Sequence, residues 1–144
     1  MKSIITLLFT LALTLSVSAQ STALERGTDN ITVEGHIPLG GPLSVMDMEI
    51  EQEMHRPYAY VGRGHLGDFV AKGMDIIDLS DPSSPTVIKR WRIENEALHT
   101  GLGGMDVKYF KWADRYYVVQ SIQFGPGPNE SLGAVVFDVP DLPD

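Results

Sequence analysis

An all-β fold follows from three features of the 144-residue sequence. Short runs rich in β-branched and aromatic residues recur between clusters of Gly, Pro, Asp and Ser, the pattern of strands separated by turns. No stretch beyond residue 19 carries a helical apolar period. The runs also repeat. Met46-Asp47 and Met105-Asp106 open matching segments at an offset of 59, which also aligns Arg56 with Arg115 and Tyr58 with Tyr117. Asp78 and Asp138 close the next matching segments at an offset of 60.

The central element is Gly73 to Ile93. Met74 to Leu79 is an apolar run punctuated by Asp75 and Asp78, and Ile76 and Ile77 suit a strand covered on both faces. Asp81, Pro82 and Pro85 mark a tight turn, because Asp bonds its own backbone and Pro cannot extend a ladder. Thr86 to Ile93 resumes as a strand, with Val87, Lys89, Trp91 and Ile93 expected on one side. Its cations suit an exposed or edge strand rather than a central one.

The remaining strands are expected at Ile31–Ile37, Val45–Glu51, Tyr58–Gly62, Gly104–Lys111, Tyr116–Ile122 and Gly133–Val139. Lettered by position in the repeat, the chain reads D, A-B-C-D, A-B-C, with Thr32-Val33 resembling Thr86-Val87 as the leading D strand. Four-stranded units that recur and need neighbours to cover their faces are the blades of a β-propeller. The sequence therefore predicts about two four-stranded antiparallel blades of an incomplete β-propeller over 31–144. An eight-strand antiparallel sandwich is the competing arrangement.

Residues 1–19 read as a signal-peptide helix. Lys2 gives the positive start, Ile4 to Val17 the apolar stretch, and Val17-Ser18-Ala19 a cleavage site before Gln20. Residues 20–30 are polar and expected to be flexible. The predicted location is thus exported, in the periplasm, at the cell surface or outside the cell, with no membrane span after cleavage. The formal charge is −8, and loss of Lys2 leaves it more acidic still. That balance argues against nucleic acid or an anionic membrane surface as partner. The sequence has no cysteine, which removes disulfides, zinc–thiolate sites and thiol catalysis.

Met74-Asp75-Ile76-Ile77-Asp78-Leu79-Ser80-Asp81-Pro82-Ser83-Ser84-Pro85 resembles the signature of LVIVD-repeat proteins, and Ala134 to Val139 resembles a degenerate copy with Pro140-Asp141 reversing the dipeptide. The resemblance implies an exported bacterial β-propeller. It implies no catalytic residues, and members of that family normally hold several more blades.

Chemical candidates are few. Gly62-Arg63-Gly64-His65-Leu66-Gly67 has the spacing of a dinucleotide-binding loop, but Asp68 to Gly73 leaves no room for the helix that loop needs. In a propeller the B–C and D–A loops share one face. That face would gather Arg63, His65, Asp68 and His99 as binding candidates for a protein or glycan. His65, Asp68 and His99 could hold a divalent metal, since imidazole and carboxylate suit Zn, Fe or Mn; no cofactor is otherwise indicated. Asp47 and Asp106 read as hydrogen-bonded structural aspartates. The sequence thus favours a non-catalytic binding or scaffold module, with a metal-assisted enzyme or cofactor binder on the same loops as the alternative. Two stacked blades would leave one face of each sheet and the Gly133–Val139 edge in water. The chain is therefore expected to be the N-terminal portion of a longer propeller, or a subunit that closes by self-association.

Overall fold

The computed structural model describes residues 30–40, 44–64, 72–94, 104–122 and 133–143. The signal-peptide helix, almost all of the 20–30 segment, and His65, Asp68 and His99 lie outside the described residues. The chain divides into two compact units, Met1–Val33 and Glu34–Asp144. Of the first, Asn30 lies in a turn and Ile31 forms an isolated bridge.

Among the described residues the second unit holds seven strands in two antiparallel sheets and no helix. Sheet 1 is β1 (Val45–Ile50), β2 (Tyr58–Arg63), β3 (Gly73–Asp78) and β4 (Thr86–Arg92), in that order across the sheet. Sheet 2 is β5 (Gly104–Trp112), β6 (Arg115–Ile122) and β7 (Gly133–Asp138), again in chain order. The two sheets therefore share one strand plan, A-B-C-D followed by A-B-C. The β5–β6 hairpin turns at Ala113-Asp114, both with positive φ, as a two-residue turn matched to strand twist requires. At the β3–β4 turn the Asp81 carboxylate accepts from the Ser83 N–H at 2.9 Å, which is the expected Asp turn.

The cationic β4 lies at the edge of its sheet, in keeping with its composition. Its expected alternation is corrected by a bulge. Ile77 pairs with Val87 but Ile76 pairs with Lys89, so Ile88 is an extra residue. Val87 accordingly packs on one face of sheet 1, while Ile88 and Trp91 pack on the other.

The sheets stack face to face. The front of sheet 1 presents Tyr58, Tyr60, Met74 and Ile76; the back of sheet 2 presents Val107, Val118, Tyr109 and Phe137. Together they form the main core, and Trp91 meets Phe137 edge-on with ring centroids 4.9 Å apart.

Two further expectations are corrected. Residues 32–39 form no strand. Instead Ile37 and Leu39 pack over Ala59, Val61 and Ile77 on the back of sheet 1. Gly35 permits this course, since a Cβ there would stand 2.2 Å from the Pro82 carbonyl oxygen. The same segment corrects the expectation that sheet 1 would have one bare face: its central back residues are buried. The front of sheet 2 is open as expected, with Phe110, Trp112 and Val136 exposed.

Candidate functional site

Antiparallel pairing brings Val45, Arg63, Gly73 and Arg92 to one end of sheet 1, and Gly104, Ile122 and Gly133 to one end of sheet 2. These are the strand ends from which the predicted B–C and D–A loops depart. Within sheet 1 this end is built on buried charge. Asp75 is the carboxylate that interrupts the apolar β3 run, and its low-dielectric position needs opposite charge. Arg63 Nη1 donates to Asp75 Oδ2 at 2.8 Å, and Arg92 Nη2 stands 2.6 Å from Oδ1. Arg63 also donates from Nε to the Ser44 carbonyl at 2.9 Å, to Ser44 Oγ at 3.2 Å, and to the Leu39 carbonyl. Burial lowers the Arg63 pKa, Asp75 opposes that shift, and Arg92 adds to it.

Arg63 was expected in the loop beside Asp68. It is instead the last residue of β2, buried, and paired with Asp75 across the β2–β3 ladder. Its guanidinium is committed to the sheet.

At the opposite end, Arg56 joins the two sheets. Nε donates to Glu51 Oε2 at 2.7 Å and Nη2 to Oε1 at 3.1 Å. The same guanidinium donates to the Val139 carbonyl at 2.6 Å and the Pro140 carbonyl at 2.8 Å, and lies 4.1 Å from the centroid of the Tyr116 ring. Tyr60 also donates its hydroxyl to Glu51. Burial opposes the Arg56 charge, but Glu51 outweighs it and the pKa is raised. Burial and the adjacent Glu51 carboxylate raise the Tyr60 pKa, so this phenol remains protonated. Tyr109, in the same core, is pushed up to about 12 by burial and by Glu51 and Glu53.

A third joint lies between the first strands of the two sheets. Asp47 Oδ2 accepts from the Val107 N–H at 2.9 Å and from Lys108 Nζ at 3.0 Å. Burial works to raise its pKa, but these bonds prevail and lower it. This is the structural role expected for Asp47. Its counterpart Asp106 is exposed and makes no comparable bond to a neighbouring sheet among the described residues.

On the far side, a crevice of about 390 Å³ opens between β4 and the chain after β7. Trp91 and Phe137 line it together with Lys89 and Arg90 from β4 and Asp138 and Asp141 from the end of β7 and the chain beyond. No group of three His, Asp or Glu side chains suited to a metal occurs among the described residues.

Glu51, Arg56, Asp75 and Gln120 were not singled out by the sequence reading as buried polar groups. A carboxylate inside the β3 apolar run, with arginines on both flanking strands, is a signal that could have located the Asp75 cluster. Gln120 is fully buried and donates from Nε2 to the Gly73 carbonyl at 2.7 Å, bonding sheet 2 to the loop-bearing end of sheet 1.

Comparison with known protein families, with curated proteins and with solved structures finds no match.

Proposed function

We propose that this chain is an exported repeat module, built of stacked propeller-type blades, that serves as a non-catalytic scaffold for protein association. The observation that carries this reading is the coincidence of sequence repeat and packing. Residues matched at offsets of 59 and 60 occupy the same face in both sheets: Tyr58 with Tyr117, Tyr60 with Val119, and Ile76 with Val136 on the front. Ala59 with Val118 and Ile77 with Phe137 match on the back. Front packs on back, so the stacking of the two units has a direction. The LVIVD-like segment Met74 to Pro85 supplies β3 and its turn, in keeping with a blade. The committed charges of Arg56, Arg63 and Asp75 fit structural roles rather than turnover.

Two measurements test this. N-terminal sequencing of protein recovered from the exported fraction should begin at Gln20; recovery of the intact chain from the cytoplasm would refute export. Metal analysis of untagged protein should find no stoichiometric metal. About one equivalent, lost in both His65→Ala and His99→Ala, would refute the scaffold reading in favour of metal chemistry.

A further inference from the structure

Resting on the stacked-repeat reading proposed above, we infer that the open front of sheet 2 docks a second copy of this chain, head to tail, on the back of that copy's β1. The internal interface supplies the template. In it, the front residues of sheet 1 cover Val107 and Tyr109 on the back of β5. The matching residues on the back of β1 are Met48 and Ile50, which pair with Val61 and Ala59 and are 56% and 39% exposed. The front residues of sheet 2 that match Tyr58, Tyr60 and Ile76 are Tyr117, Val119 and Val136, and Val136 is 59% exposed. One molecule thus carries an open front and, at Met48 and Ile50, an open first-strand part of the back, while Ala59 and Ile77, the counterparts of Val118 and Phe137, are already covered.

The polar parts of the joint recur as well. Asp47 bonds the β5 backbone, and its counterpart Asp106 is exposed at the open front. Arg56 bonds the two carbonyls that follow β7, and its counterpart Arg115 is exposed and paired only with Asp138 among the described residues. Ile37 and Leu39 cover the centre of the sheet 1 back but leave Met48 and Ile50 open, so the second copy docks at the first strand without displacing them. A front-on-back contact is heterologous. It closes into a ring when the rotation per unit permits, and with the two described sheets from each copy a ring of 4–8 sheets takes roughly two to four copies.

The test is sedimentation velocity on the purified protein, on Val136→Glu, which blocks the front, and on Met48→Glu, which blocks the back. Wild type should self-associate between low and high micromolar concentration. Each variant alone should sediment as a monomer. An equimolar mixture should form a one-to-one dimer and nothing larger, because one open front and one open back remain. A wild type that stays monomeric overturns the inference. So does association of Met48→Glu alone, which would mean that fronts pair with fronts, and so does a mixture that remains monomeric. Nuclear Overhauser contacts between the Tyr60 ring and the Val118 methyls in the same samples report on the internal stack. Their loss removes the repeat reading itself, whereas a monomer that keeps them removes only the second copy.

Discussion

Val118→Ala and Val136→Ala make the same chemical change on neighbouring strands of one sheet, at positions on opposite faces. Val118 on β6 is 0% exposed in the core between the sheets, whereas Val136 on β7 is largely exposed. Truncation of valine to alanine removes two carbons, each worth about 0.8 kcal/mol when buried. At Val118 that gives about 1.6 kcal/mol, and incomplete collapse of the resulting void adds up to about 1 kcal/mol. The expected loss is therefore about 1.5–2.5 kcal/mol at Val118 and within about 0.5 kcal/mol at Val136. Urea unfolding followed by the fluorescence of Trp91 and Trp112 gives both values. It is best performed in a Met48→Glu background, so that self-association does not cover Val136. Equal losses, or a larger loss at Val136, would refute the assignment of the sheet 2 back as core.

Two further outcomes follow from the joints between the sheets. Arg56→Met leaves Glu51 buried without its cation and frees the Val139 and Pro140 carbonyls; the expected cost is about 3–5 kcal/mol, recovered in part by adding Glu51→Gln, as a double-mutant cycle in urea would show. Asp47 has a lowered folded-state pKa despite the opposing effect of burial, so its contribution to stability is present above the unfolded carboxylate value and is lost as pH falls through the folded value. Thermal unfolding across that acid range should be less pH-dependent in Asp47→Asn than in wild type, and an unchanged dependence would refute the role of the Val107 bond.

The strand plan was legible because the repeat constrains it twice. Arg56, Tyr58 and Asp78 each have a partner 59 or 60 residues later, and the strands they mark fall in the same order in both sheets. That β4 is not a central strand was legible from its cations. The bulge at Ile88 was not, because Thr86 to Ile93 alternates equally well with or without an extra residue, and only pairing with β3 reveals it. The course of 32–39 was hidden for a similar reason. Ile37 and Leu39 could face a sheet either as part of a paired strand or as a segment laid across it, and the contact of Gly35 with the Pro82–Pro85 turn decides between them. At the candidate site, Arg63 read as a loop residue because Gly62 and Gly64 flank it. Its commitment depends on Asp75, 12 positions away and adjacent only once β2 and β3 pair. The candidates His65, Asp68 and His99 lie beyond the described residues, so the metal reading stands or falls on the metal analysis.

The central claim is directional stacking of two units of one repeat, and methyl-to-aromatic nuclear Overhauser contacts at the paired valines of β6 test it most directly. Val118 and Val119 are adjacent in sequence and lie on opposite faces of sheet 2. Front-on-back stacking predicts contacts from the Val118 methyls to the rings of Tyr58 and Tyr60, and none from Val119 to either ring. Contacts from Val119 to Tyr60, with Val118 silent, would contradict it.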